Sequence, residues 1–293
     1  MTMLPKPTRR NVTASAASAV LLAALGTRGR GARAAQSLRI GLTPVFLTSD
    51  LELLTKLRAY LSRRLGFEVD LVRRRTYQEI TSLLISGQLD AAWICGYPFV
   101  AFREHLALVA VPLWQGQPLY SSYLIATAGR AVGSIAELEG DIHAFSDPDS
   151  NSGYLVTRAV LAEMRRRPED FFRRTMFTWG HRNVVRAVGS GLATSGSVDG
   201  YVYDVMIETE PSLAAKTYVV RRSEPMGFPP FACARGRADW SDTVRLREAL
   251  LSMQDDGDGR DVLRLLRLDG FVAGEPTLYD SIAEKLRIVR QFG

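Results

Sequence analysis

Apolar positions along this chain switch between two periods. Residues 38–42, Leu-Arg-Ile-Gly-Leu, put an apolar side chain at every second position and predict a strand. Leu51, Leu54, Leu57, Tyr60, Leu61 and Leu65 then recur three and four apart, which predicts a helix with Asp50 as its cap. Residues 67–72 alternate again, residues 77–84 predict a second helix ended by Gly87, and residues 89–95 predict a third, largely apolar strand. Strands alternating with helices predict a parallel, doubly wound sheet.

The alternation then restarts. Residues 106–114 and 120–126 read as long strands suited to crossing between two lobes. A second series follows: strand 142–145, helix 152–164, strand 175–179, helix 183–188 and strand 198–203. Residues 218–220 and 231–233 read as strands returning to the first lobe, and helices at 243–253, 261–266 and 279–292 close the chain. In both lobes a small polar pair, Ser86-Gly87 or Gly196-Ser197, precedes an apolar-Asp pair, Leu89-Asp90 or Val198-Asp199, with aromatics at the strand's far end. The expected fold is α/β and two-lobed, each lobe a mixed sheet flanked by helices. Residues 35–118 and 224–293 form lobe 1 and residues 119–223 lobe 2. Ligands of open α/β sheets bind at the carboxyl ends of the strands, here the cleft between lobes.

The first 34 residues read as an export signal rather than as fold. Lys6, Arg9 and Arg10 precede an apolar run at 12–25, and Ala32-Arg33-Ala34 is a small-residue cleavage pattern. The run falls short of the about 20 residues a membrane span needs. Thr8-Arg9-Arg10-Asn11-Val12 also has the look of a twin-arginine signal, so the Sec and Tat routes both stay open and the expected location is the periplasm. This changes the charge picture. The chain has 37 Lys and Arg against 31 Asp and Glu, net +6, and residues 1–34 hold six basic groups and no acidic one. The rest is neutral, which removes any case for nucleic acid. His105, His143 and His181 lack metal-ligand spacing, and neither a metal nor a cofactor is expected.

The most informative segment is residues 145–155, Phe-Ser-Asp-Pro-Asp-Ser-Asn-Ser-Gly-Tyr-Leu. An apolar strand runs through Asp-Pro into a small polar cluster and then an amphipathic helix. Ser and Asn cap helices because their side-chain oxygens accept orphan N–H groups, and such a helix start after a strand is also an anion site.

The chain resembles the periplasmic solute-binding proteins of ABC importers, in the phosphonate/phosphite/phosphate-binding (PhnD-like) family with the type II periplasmic binding protein fold. Residues 147–155, Phe171-Phe172, Gly180-His181 with Ala187-Val188, and Val198-Asp199 carry the resemblance. The family's Ser-Thr-Ser-Gly-Tyr stands here as Ser150-Asn151-Ser152-Gly153-Tyr154. The resemblance implies that Ser150, Asn151, Ser152, Gly153 and the helix N-terminus hold an oxyanion, with the His181 imidazole assisting. It also implies that the returning strand lies beside the third, bringing Cys233 near Cys95. Export then allows a disulfide between them, with two buried thiols as the alternative. Aminophosphonate binders carry a carboxylate in the return segment, where residues 223–230 are largely apolar, so the ligand is expected to lack an amino group or not to be a phosphonate.

Tyr97, just past the third strand, is expected to face the cleft from lobe 1, and Tyr203 and Asp204 to hold the matching place in lobe 2. Tyr120 and Tyr123 read as core or hinge packing, Asp90 and Asp199 as structural caps far from the carboxyl ends, and the Arg runs at 73–75 and 165–167 as solvated faces. If His181 acts as a cation, affinity falls as pH rises through its usual value of about 6.5. The function expected is a monomeric, non-enzymatic binding component of an importer, closing on a small oxyanion or polar solute and handing it to an ABC permease. The alternative is the ligand-binding subunit of a membrane sensor. No Ser-His-Asp or Cys-His arrangement suggests catalysis.

Overall fold

The computed structural model describes residues 37–43 and 51–292; the signal read over 1–34 and the Asp50 cap lie outside them. The chain forms β1 (Leu38–Leu42), α1 (Leu51–Leu65), β2 (Val69–Arg73), α2 (Tyr77–Ile85), β3 (Ala91–Trp93), α3 (Gly96–Ala101) and β4 (Leu106–Leu113). Next come β5 (Leu119–Tyr120), β6 (Ser122–Thr127), β7 (Ile142–Phe145), α4 (Val156–Glu163), α5 (Pro168–Phe171) and β8 (Arg174–Phe177). They are followed by α6 (His181–Gly189), β9 (Ser195–Asp199), α7 (Gly200–Thr209), α8 (Pro211–Ala214) and β10 (Thr217–Arg222). The chain closes with β11 (Met226–Gly227), β12 (Phe231–Ala234), α9 (Ser241–Leu251), α10 (Gly257–Leu266), β13 (Gly270–Val272) and α11 (Asp280–Phe292).

Two mixed sheets result. The first has the order β13-β4-β12-β3-β1-β2, parallel where β1 meets β2 and β3 and antiparallel around β12 and β4. The second runs β10-β6-β9-β7-β8, parallel on both sides of β7 and antiparallel around β6. A two-stranded ribbon, β5 with β11, forms where the chain passes from one sheet to the other and back. β10, expected in the first sheet, pairs with β6 in the second instead.

Apolar burial holds each sheet to its helices. In the first, Trp93 stacks on Phe231 with ring centroids 4.8 Å apart, and its indole N–H donates to Pro229 O at 2.8 Å. The second buries His143 among aromatics, stacked on Phe172 at 4.2 Å. Each ring nitrogen lies 2.8 Å from a serine hydroxyl, Ser195 on one side and Ser197 on the other, and Ser197 continues to Thr157 of α4 at 2.6 Å. Burial pushes the imidazole down to about 3, so it is neutral and its network is satisfied.

Cys95 and Cys233 are free and buried. The expected neighbourhood of strands is right and the register is not. β12 does pair with β3, but Phe231 sits opposite Trp93 and Ala232 opposite Ala92. Cys233 therefore continues away from Cys95, four residues out of step, or about 13 Å at about 3.3 Å per strand residue. That exceeds the reach of a disulfide. Burial pushes the Cys95 thiol up to about 12 and that of Cys233 up to about 11. The native protein should therefore resist a thiol reagent that titrates both cysteines in denaturant, and reductant should leave the melting temperature unchanged. Rapid labelling in the native state would contradict this burial.

Candidate functional site

Two helix starts face one another at the carboxyl ends of the two sheets. On the first-sheet side, Thr76 caps α2 by accepting from Glu79 N–H at 3.2 Å, while Glu79 reaches back to Thr76 N–H at 3.0 Å. This reciprocal capping box fixes the first turn of α2, and with it Tyr77. On the second-sheet side, β7 ends at Phe145 and the chain turns through Ser146 and Asp147 into a wide π-type turn, Asn151–Leu155, ahead of α4. Ser150 accepts from Gly153 N–H at 3.0 Å, and Leu155 N–H donates to Ser150 O at 3.0 Å. The N–H groups of Ser152 and Tyr154 precede any carbonyl they could reach within the helix. Gly153 is required here, because a Cβ on it would fall on the Ser146 hydroxyl.

The sides meet through a polar seam. Asp147 accepts from Asp149 N–H at 2.8 Å and from Tyr77 N–H at 3.2 Å, placing a carboxylate at the N-terminus of α2. Asn151 N–H donates to Cys95 Sγ at 3.2 Å, and its side-chain NH2 lies 2.8 Å from the Tyr120 hydroxyl and 3.4 Å from Met226 Sδ. Ser122 donates to Ser152 O at 2.6 Å. Among the described residues, four buried side-chain atoms have no hydrogen-bond partner: Ser146 Oγ, Asn151 Oδ1, Ser152 Oγ and Thr81 Oγ1. Three of the four belong to this turn. Native proteins leave few such atoms, which makes this turn the candidate site.

His181 opens α6 and is 1% exposed. Its Nδ1 accepts from Asp199 N–H at 3.1 Å, which puts the ring proton on Nε2, 3.2 Å from the Tyr77 hydroxyl. Burial pushes its pKa down to about 3. The cationic role is therefore corrected: His181 is a neutral donor. The preceding Trp179 has φ 58, left-handed backbone that a bulky residue adopts under strain. Asn183 ties this corner by donating to Thr178 O at 2.9 Å, and Arg75, from the other side of the seam, lies over the Trp179 ring at 5.6 Å.

The structure thus gathers Ser150, Asn151, Ser152, Gly153 and His181 at one seam and leaves three expected residues outside it. Tyr203 and Asp204 stand on α7, because the strand expected over 198–203 ends at Asp199. The Tyr203 hydroxyl pairs with Thr217 at 3.0 Å, and Asp204 accepts from Tyr123 at 3.0 Å. Tyr97 lines a different cavity of about 570 Å³ with Gln78, Thr81, Asp149 and Arg290. Conversely, Tyr77 was not singled out, and Tyr120, read as core or hinge packing, and Asp199, read as a cap, also reach the seam. The capping spacing Thr76–Glu79 was a readable signal for Tyr77. Asp199 caps α7 by accepting from Val202 N–H at 3.2 Å, as expected of a cap, but it does so at the carboxyl end of β9. Burial raises its carboxyl to about 7.

A sequence profile of the ABC-transporter phosphonate periplasmic substrate-binding proteins matches residues 40–279. The chain belongs to that family. It is a PhnD-like periplasmic substrate-binding protein of ABC phosphonate transporters, with the type II periplasmic binding protein fold. Its fold is similar to that of PhnD1 from Prochlorococcus marinus in complex with methylphosphonate, at TM-score 0.77 and 17% identity over 87% of this chain and 98% of that one. A binding component of an ABC phosphonate transporter from Pseudomonas aeruginosa matches at TM-score 0.77 and 21% identity, covering 87% of each chain. A Xanthomonas citri protein bound to ATP matches at TM-score 0.70 and 18% identity, over 87% of this chain and 98% of that one. Among the described residues, no helix is long and apolar enough to cross a membrane.

Two outcomes follow from the site's packing. Gly153→Ala should destabilise the protein by roughly 1–3 kcal/mol, the usual scale of overpacking, and adding Ser146→Gly should recover part of the loss in a denaturant titration. An unchanged midpoint would mean that the approach is not tight. The second outcome concerns pH. His143 and His181, depressed from 6.5 to about 3, contribute stability that is complete above 6.5 and drains as the pH falls. Asp199, raised from 3.8 to about 7, contributes stability present at low pH and lost as the pH rises through about 7. The trends oppose one another between about pH 4 and 6.5. Asp199→Asn keeps a capping side chain and removes the second trend, so its melting temperature should fall more steeply on acidification than the wild type's.

Proposed function

We propose that this protein binds a small tetrahedral oxyanion of the phosphonate class at the turn 150–153 and delivers it to an ABC permease. The observation that carries this reading is the cluster of buried, unpartnered atoms, Ser146 Oγ, Asn151 Oδ1 and Ser152 Oγ, at the helix start that follows β7. Serine hydroxyls and the helix N-terminus supply donors to the anion, and neutral His181 donates its one N–H to the Tyr77 hydroxyl, leaving the Tyr77 proton to point onward. Residues 35–118 with 224–293 form one lobe and 119–223 the other, and they close about the ribbon of β5 and β11. The protein acts as a monomer, without a cofactor and without catalysis, after export by the Sec or Tat route. Family membership favours import over the sensory alternative.

Thermal-shift and calorimetric titration of the purified protein test this against methylphosphonate, phosphite, phosphate, sulfate and acetate. A phosphonate-class ligand at a hundredfold its Kd should add about 2.7 kcal/mol of stability. Ser152→Ala and His181→Ala, each still folded, should weaken that binding roughly tenfold, the scale of a lost charge-assisted hydrogen bond. Full affinity in both variants would move the site elsewhere.

A further inference from the structure

Asn151 differs from the two serines beside it in one chemical respect. A hydroxyl can turn to donate or to accept, whereas the Asn151 amide has a donor end and an acceptor end, and this seam fixes which end points where. Its nitrogen faces the Tyr120 hydroxyl at 2.8 Å and the thioether of Met226 at 3.4 Å. A thioether only accepts, so the reversed amide would set two acceptors against each other. The backbone N–H of Asn151 is held in turn by Cys95 Sγ at 3.2 Å. Oδ1 is left as a buried acceptor that no protein group reaches, on a residue with 0% exposure. Leaving such an acceptor unbonded is costly, and an oxyanion without a hydrogen would place its own lone pairs against it.

We propose that Asn151 makes the site selective for oxyanions that carry a hydrogen of their own, such as hydrogenphosphonate monoanions, over equally charged oxyanions that carry none. This rests on the anion reading above and narrows the substrate class. The hydrogen of the ligand's P–OH bonds to Asn151 Oδ1, while its remaining oxygens take the Ser146 and Ser152 hydroxyls.

The surrounding charges agree with a monoanion. The titratable groups at the seam are Tyr77, Cys95, Tyr120, Asp147, Asp199 and His181, none of them cationic in the fold. Of the elements packed against the turn, α11 brings Lys285, which is paired with Glu224, and Glu284, which is paired with Arg287. The helix α4 brings Arg158, set over the Tyr154 ring, together with Glu163; α3 brings Tyr97. Arg290 of α11 is exposed and lines the cavity of Tyr97 and Asp149, and among the described residues the hydrogen bonds that Asn151 donates go to Cys95, Tyr120 and Met226, none of them a cation.

Calorimetry at about pH 5, below the second phosphoryl ionisation at about 6, tests this with probes of equal charge. Methylphosphonate then carries one charge and one P–OH hydrogen; methanesulfonate has the same charge and nearly the same shape without the hydrogen. The wild type should bind methylphosphonate roughly tenfold or more tightly, the scale of an unmade bond to a buried acceptor. Asn151→Thr and Asn151→Ser, which restore a hydroxyl, should bring the two ligands within about threefold, mainly by admitting the sulfonate. Equal wild-type affinities, or a preference that persists in folded variants, would overturn the role of Asn151 while leaving the anion site standing. If the wild type binds neither probe, the function itself falls and this selectivity with it. If the variants do not fold, the monomethyl ester of methylphosphonate decides on the wild type alone. It keeps the charge and loses the hydrogen, so it should bind as weakly as the sulfonate, and binding as tight as the parent's would refute the inference.

Discussion

At Gly153 the backbone leaving Ser150 passes so close to the Ser146 side chain that no Cβ fits between them. This contact joins the end of β7 to the start of α4, and the rest of the site is arranged around it. Ser150 is free to cap Gly153, the turn opens to a π-type spacing, and the Asn151 side chain is turned toward Tyr120 and Met226 of the β5–β11 ribbon. A normal α-helical turn would tighten the same residues and bring more of their polar groups into internal bonds. Single π-type turns are found disproportionately at functional sites for that reason.

The anion contact proposed at the seam rests on dipoles rather than on counter-ions. A buried ion pair must repay the loss of water from both partners, and it often fails to do so. Here the donors are hydroxyls and helix amides, backed by an imidazole held neutral by burial. Such groups lose less on burial than an ammonium would, and they hold their orientation when the ligand leaves. The same burial lifts the Asp199 carboxyl to about 7 and pushes that of Asp147 upward, against the N–H donors of Asp149 and Tyr77 that hold it down.

Much of this was legible in the sequence because it is written in local patterns. Alternation and helical spacing located most of the elements, and a serine cluster between a strand and an amphipathic helix marked the turn now proposed to hold the anion. Errors arose where one residue had to be assigned to one of two periods. Residues 198–203 are apolar and aromatic enough to continue a strand, yet Asp199 caps a helix at Gly200, which carried Tyr203 and Asp204 away from the site. The cysteines show a second limit. The adjacency of two strands could be anticipated, but their register is set by packing across the whole sheet, and a few residues of offset decide whether two thiols meet. Orphaned atoms are a third kind of information, since they depend on which neighbours fail to arrive.

Tyr120 and Met226, which orient the Asn151 amide, lie on β5 and β11, the two short strands by which the chain crosses between its sheets. In the proposed closure the Asn151 contact therefore sits on the axle, and the Arg75–Trp179 stack is anchored away from it, on the loop before α2 and the corner before α6. In any rotation about an axle, displacement grows with radius. Groups at the axle keep their arrangement through the stroke, while groups at the rim are made and broken by it. Recognition and enclosure are thereby assigned to different radii, and a substitution at the rim can alter how long the ligand is held without altering which ligand is chosen.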